Sequence, residues 1–403
     1  MRVLYFSPRA CWPLNSGARL RDYYLAREIA RHAEVAYLGF SEPGEIWRGK
    51  VGFDSELDCT FVPRPAGFSL PNLIKGLAGP FPVTVLNFTT TAMRNELERM
   101  LHSSRFDVVQ FEGVHLSAYL PAIHSAPGKP RVFCDWHNIE SEILRRYCAK
   151  TPLWHPKHWY AAHAAGRLEA LEARLLASCD AHFVCSERER RILSARYPAA
   201  PIRVLENGVD TNRSGQIAAA HGQRRRDVVF VGAMNYHANI DAVLYFLREI
   251  WPLVRRDRGD LRFVVVGSRP TPEILALGSQ AGVTVTGTVD DLDPYYEAAR
   301  VVVVPLRVGS GTRLKVLEAM VAGVPVVSTA LGVEGLAVRS GEHLIVAETP
   351  AEFASSVVDL AGDDRMCERL ARAGRELAVR QYGWDRIGAS LLSYYDEFAP
   401  RTS

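Results

Sequence analysis

At 403 residues, with 48% hydrophobic and 23% charged side chains, the sequence has the balance of a globular protein. It is too long for one ordinary α/β core, and two domains of about 200 residues are the natural expectation. A formal net charge of +3 is too small to make nucleic acid the main partner.

Of the 48 basic residues 42 are arginine, and after Lys157 the one remaining lysine is Lys315. The seven cysteines (Cys11, Cys59, Cys134, Cys148, Cys179, Cys185 and Cys367) have no CxxC spacing, and several lie in apolar runs. They read as buried free thiols of a reducing compartment rather than as a disulfide framework. Met1-Arg2 runs straight into Val3–Phe6, too short a run for a signal segment, and no apolar run approaches the roughly 20 residues that span a bilayer. The expectation is a cytoplasmic protein.

In chain order, the first half carries short apolar runs at Val3–Phe6, Val35–Leu38, Val108–Phe111, Arg131–Cys134, His182–Cys185 and Ile202–Leu205. Helical patterns fall between them, as at Arg19–Ala30 and within Trp159–Ala177. The second half repeats the alternation with Val228–Val231, Phe263–Val266, Val283–Thr286, Val301–Val304, Val324–Ser328 and Leu344–Val346. Apolar strands alternating with helices predict parallel sheets, and a run such as Val301-Val302-Val303-Val304 predicts burial on both faces. Polar sequence interrupts the pattern between Asp210 and Arg226. The expected division is therefore residues 1–210, a linker at 211–225, and residues 226–403, with room for the last helix to pack back on the first domain. Pro63–Pro82, with Phe68, Leu70, Leu73, Ile74, Leu77 and Phe81, reads as core in preference to an exposed apolar loop.

The strongest chemical signal follows Val301–Val304. After Pro305 come Gly309-Ser310-Gly311-Thr312-Arg313-Leu314-Lys315, and Glu318 one turn later. A buried strand, a glycine turn and a helix start put Arg313 and Lys315 beside unpaired N–H groups. Two cations there oppose the helix dipole, by a few tenths to about 1 kcal/mol each, unless an anion binds. The bland alternative is a surface arginine and a lysine paired with Glu318. A diphosphate site is the favoured reading.

This run resembles the donor-site motif of glycosyltransferase family 4, whose GT-B architecture has two Rossmann-like, doubly wound parallel-sheet domains facing a cleft. The resemblance implies a retaining, metal-independent transfer of sugar from a nucleoside-diphosphate sugar to a glycan or lipid-linked acceptor. It implies no cofactor beyond that co-substrate. Glu318 takes the ribose role. Ser310 stands where many members have a second glutamate. Two cations that many members carry after the first strand of the second domain are missing around Gly232, and Arg313 and Lys315 replace them. Glu206-Asn207-Gly208-Val209-Asp210 is similar to the turn that ends the family's first domain. By the same resemblance Gly17 lets backbone approach the donor phosphate, Ser310 occupies a place near the donor sugar, Gly232, Gly311 and Thr312 belong to the same donor site, and Val289 and Asp290 hold the base through main-chain groups. His137, after the run Cys134-Asp135-Trp136, is placed at the reacting sugar; a local helix cap is its alternative. The first half is similar to the branch associated with exopolysaccharide systems. The rival functions are a GT-B nucleotide-sugar epimerase and a binding protein that has lost catalysis.

Asp291-Leu292-Asp293 has DxD spacing but reads as an N-cap, Asp293, followed by Pro294 at the first helical position. No metal cluster is expected from His or Cys spacing. Trp154-His155-Pro156-Lys157-His158-Trp159-Tyr160 mixes rings and cations in a way suited to peripheral contact with the inner face of a membrane, with an ordinary aromatic contact between domains as the alternative.

Overall fold

The structure is a computed structural model and describes residues 1–14, 16–41, 44–52, 56–64, 72, 75–76, 79, 81–211, 226–309 and 314–398. The chain divides into two compact units, Met1–Glu206 with Ile387–Ser403, and Asn207–Arg386. The expected linker at 211–225 lies almost wholly outside the described residues, as do Phe68, Leu70, Leu73, Ile74 and Leu77 of the Pro63–Pro82 segment. Phe81 of that segment packs against the first unit's core.

The first unit is an eight-stranded sheet in the order β3-β4-β2-β1-β5-β6-β7-β8. Its strands are β1 (Arg2–Ser7), β2 (Glu34–Ser41), β3 (Trp47–Val51), β4 (Leu57–Pro63), β5 (Val108–Glu112), β6 (Arg131–Trp136), β7 (Ala181–Val184) and β8 (Ile202–Val204). All neighbours run parallel except the edge strand β3, which pairs antiparallel with β4. That hairpin departs from the all-parallel expectation. Trp47 stacks on Phe61 across it, ring centroids 5.2 Å apart, and the exposed face of β3 needs no apolar run. The helices used below are α1 (Gly17–Ala30), α2 (Glu140–Lys150) and α3 (Pro156–Ser178). The last helix, Trp384–Phe398, contributes Tyr395 to this unit, which stacks on Phe133 at 5.2 Å and donates to Gln110 at 2.6 Å.

The second unit is a six-stranded sheet in the order β11-β10-β9-β12-β13-β14, parallel in every pairing. Its strands are β9 (Asp227–Val231), β10 (Arg262–Val266), β11 (Val283–Val285), β12 (Ala299–Val304), β13 (Val326–Ser328) and β14 (Ile345–Val346). The four valines of β12 are fully buried, as unbroken β-branched runs between two helical layers should be. Two helices matter for the site, α4 (His237–Tyr245) and α5 (Leu314–Val321).

Both sheets have a point where successive strands add on opposite sides. In the first unit it lies between β1 and β5, in the second between β9 and β12. The loops leaving the carboxyl ends of those strands diverge there and open a crevice, where ligands bind in sheets of this kind.

One buried ion pair locks the first of these edges. Arg21 on α1 is fully buried and donates through Nε and NH2 to Asp135 of β6, at 2.8–3.1 Å, and to the carbonyls of Leu205 and Glu206 at 2.9 Å. Removing one partner leaves a buried charge uncompensated. We expect Arg21→Leu to destabilise the chain by about 3–5 kcal/mol in urea unfolding, and the double change Arg21→Leu/Asp135→Leu to restore much of the loss. A double variant no more stable than the single one would contradict this account.

Candidate functional site

In the first unit the crevice is built from β1, α1, β5 and the loop after β6. Ser16 caps α1 by accepting from the Arg19 N–H at 3.4 Å, which sets the pitch on which Arg21 and Asp22 both turn inward. Asp22 is fully buried and accepts from Ser7 at 2.7 Å and from Arg9 at 2.9 Å. Glu112, the last residue of β5, is also fully buried and accepts from Tyr5 at 2.5 Å.

His137 joins these two carboxylates. Its Nε2 lies 3.2 Å from Asp22 Oδ1 and 2.9 Å from Glu112 Oε2, with Arg9 NH1 at 3.1 Å. The contact with Glu112 is an ion pair without hydrogen-bond alignment, since that oxygen has no aligned donor. Arg9 would need a lone pair on Nε2, whereas two carboxylates favour a proton there. Burial and Arg9 both pull against the charged ring, yet Asp22 and Glu112 outweigh them and raise the His137 pKa to about 9. Asp22 moves the other way: burial would raise it, but Arg9, His137 and Ser7 hold it down at about 2. His137 is not a helix cap. The residue before α2 is Ile139, with no side-chain cap, and the imidazole turns to the carboxylates instead.

Asp22, Glu112 and His137 each offer an atom within 4.8 Å of the others, a geometry able to hold a metal ion. In this set Arg9 and the protonated ring already balance the two carboxylates. A metal would have to displace the proton and share Asp22 with a guanidinium 2.9 Å away. The donor set suits an imidazolium better.

In the second unit the crevice is lined by the loop after β9 and by α5, which follows β12. Lys315, in the first turn of α5, donates to Asn239 Oδ1 on α4 at 2.8 Å, and its ammonium sits 4.2 Å from the centre of the Phe230 ring. Asn239 is anchored in turn by donating to the Ala233 carbonyl at 2.9 Å. Gly232 follows β9 directly beneath this lysine: a Cβ there would lie 2.8 Å from Lys315 Nζ and 2.7 Å from Asn239 Nδ2. A side chain at that position would push Lys315 and Asn239 off their present places. Glu318, one turn along α5, accepts from Tyr296 at 3.4 Å.

The structure thus brings Gly232 and Lys315 together, with Glu318 on the same short helix. Ser310, Gly311, Thr312 and Arg313 lie outside the described residues. Gly17 is exposed at the start of α1, Val289 packs half-buried on the second unit's core, and Asp290 is exposed. Asp293 is not an N-cap: it is the first residue of the helix Asp293–Ala298, and Asp291 accepts its backbone N–H at 3.1 Å. Sequence reasoning missed Asp22, Glu112, Arg9 and Asn239 as members of these clusters. A buried charge inside an apolar run, as in Val108-Val109-Gln110-Phe111-Glu112, was the available signal. All seven cysteines are free.

Residues 23–213 match the family described as Glycosyltransferase Family 4, and residues 225–363 match Glycosyl transferases group 1. The chain belongs to glycosyltransferase family 4. It is 30% identical over 238 residues to a GDP-mannose-dependent alpha-(1-6)-phosphatidylinositol monomannoside mannosyltransferase of Mycobacterium tuberculosis (strain CDC 1551 / Oshkosh). That match covers 53% of this chain and 60% of the relative, so the chain spans less than two thirds of the curated relative's length. Among solved structures it resembles sucrose-phosphate synthase from Thermosynechococcus elongatus, with TM-score 0.69 and 15% identity over 98% of both chains. It also resembles Anabaena HepE in complex with UDP and glucose, with TM-score 0.65 and 13% identity over 98% of this chain and 99% of the other. At such identities the likeness speaks to fold alone, and the fold is GT-B, with two Rossmann-like units.

The charge on His137 has a consequence for stability. Its pKa is about 9 in the folded chain against 6.5 ordinarily, so the stabilisation is whole below pH 6.5 and is lost as pH rises through 9. The stability difference between wild type and His137→Gln should shrink by a few kcal/mol between pH 6.5 and 9, read by urea unfolding. Parallel curves over that window would show a neutral ring.

Proposed function

We propose that this chain is a retaining, metal-independent glycosyltransferase acting in exopolysaccharide or cell-envelope glycan biosynthesis. It moves a sugar from a nucleoside-diphosphate sugar to a glycan or lipid-linked acceptor, and works in the cytoplasm at the inner face of a membrane. The observation that carries the reading is the crowded lysine of the second unit. Lys315 is a fixed cation in the first turn of a helix, set against a glycine at the switch point of a parallel sheet. Cation, helix N–H groups and bare backbone together favour a diphosphate, and they favour it more as negative charge develops on the leaving group.

In this reading Lys315, with Arg313, stabilises the departing diphosphate. Glu318 takes the ribose, the Gly311 and Gly232 backbones approach the phosphates with Thr312, Ser310 and Gly17, and the main chain at Val289 and Asp290 holds the base. His137, held as an imidazolium by Asp22 and Glu112, presents a fixed N–H to the reacting sugar. A relative named for GDP-mannose and a structural neighbour solved with UDP support the class of donor and leave the base open. The same relative's name, which includes a phosphatidylinositol mannoside, supports a lipid-linked acceptor.

Two experiments test the assignment. Donor turnover should persist in EDTA, and His137→Ala should lower it by on the order of 10²-fold while nucleoside diphosphate still binds. Abolition by EDTA with rescue by Mn²⁺ would overturn the metal-independent mechanism. In calorimetry, Lys315→Ala should weaken nucleoside diphosphate by about 1.5–3 kcal/mol and hardly change free nucleoside. Glu318→Gln should weaken both. Unchanged affinity of Lys315→Ala for the diphosphate would remove this helix start from the donor site.

A further inference from the structure

The turn joining α2 to α3 and the helix ends that flank it carry five large apolar side chains that the fold leaves exposed. Trp154 is 81% exposed, Leu153 69%, Trp159 65%, Tyr147 46% and Tyr160 42%. Scattered exposed apolar residues are ordinary, but a contiguous set on one turn marks a surface with a partner.

The turn is not loose. His155 caps α3 by accepting from the Lys157 N–H at 3.1 Å, with Pro156 at the first helical position. His158 Nδ1 meets the carbonyls of Cys148 and Thr151 at 3.1 and 3.0 Å, tying the start of α3 to the end of α2. Trp159 Nε1 donates to the Leu153 carbonyl at 2.8 Å, which folds its indole against the residue beside Trp154 without burying it. The polar groups of the turn are thus satisfied from within, and its apolar ones point outward.

Charge completes the pattern. From Ile143 to Leu168 the sequence holds Arg145, Arg146, Lys150, Lys157, Arg167 and three histidines, and no Asp or Glu. The acids nearest in sequence, Glu142 and Glu169, are paired with Arg146 and Arg145 and lie on the helical stems, away from the tip. Lys157 is exposed among the aromatic rings.

We propose that this turn docks on a lipid bilayer, with Trp154, Trp159 and Leu153 in the headgroup and acyl boundary and the exposed Lys157 on anionic headgroups. Exposed rings with a lysine among them match the chemistry of a membrane interface, where apolar area and anionic attraction add. The inference deepens the lipid-linked acceptor reading and rests on it, since it would bring the first unit to the surface where such an acceptor is held.

The test is sedimentation of the full chain with phosphatidylcholine vesicles, pure or containing phosphatidylglycerol, at low and high salt. Wild type should sediment with the anionic vesicles and release as salt rises. Trp154→Ser/Trp159→Ser should lower partitioning at least about tenfold, given the area two indoles bury. Lys157→Glu should weaken binding to the anionic vesicles alone. The melting temperature of both variants should stay at the wild-type value, because these side chains are outside the core. Equal sedimentation of wild type and the double tryptophan variant would overturn the proposal. So would a wild-type dimer that the double variant converts to monomer, which would give the surface to a second copy of the chain. Nucleoside diphosphate affinity is measured on the same samples without vesicles. If it is absent in wild type, the transferase reading fails independently of the vesicle result.

Discussion

Charge balance in a dry crevice is the constraint on which the first unit depends. Asp22, Glu112 and Asp135 are fully buried, on α1, β5 and β6. Three unpaired carboxylates there would not stay ionised. Arg9, Arg21 and the imidazolium of His137 supply three positive charges at hydrogen-bonding or ion-pair distance. The balance fixes geometry as well as charge, because each cation comes from a different part of the chain: the loop after β1, helix α1 and the loop after β6. The ring that closes the pocket is thereby oriented through its Nε2, and its side chain stays partly exposed.

The second unit reaches an ordered cation by the opposite route. Lys315 meets a carboxamide oxygen and an aromatic face, beside the absent side chain of Gly232. Neither of those two groups adds a charge to the ammonium. Near the start of α5 the field of the unpaired N–H groups adds to it. One crevice balances three carboxylates with three cations, while the other sets a lysine against a helix start and bare backbone.

How much of this was legible in the sequence follows from range. Every apolar run read from the sequence coincides with a strand, because parallel strands buried on both faces advertise themselves. The hairpin β3-β4 was not read: Arg48, Gly49, Lys50 and Asp58 break the apolar pattern on an edge that water reaches. His137 and Lys315 were legible because each follows a recognisable strand at a helix start. Asp22 and Glu112 were not. They are 115 and 25 residues from His137 in sequence, and only the β1-β5-β6 neighbourhood brings the three together. Asn239 was equally invisible, since an amide on a helix has no local signature of the lysine it will meet 76 residues later.

The residue type at 315 is itself informative. The chain uses arginine for 42 of its 48 basic positions, so a lysine here runs against the bias of the whole sequence. Space explains it. The ammonium lies 2.8 Å from Asn239 Oδ1 and 2.8 Å from where a Cβ on Gly232 would stand, over a ring 4.2 Å away. A planar guanidinium with its five donors is wider than a point ammonium and would not keep both the carboxamide and the ring at these distances. The missing side chain at Gly232 and the small cation at Lys315 form one device: both keep the protein's own atoms narrow at the switch point.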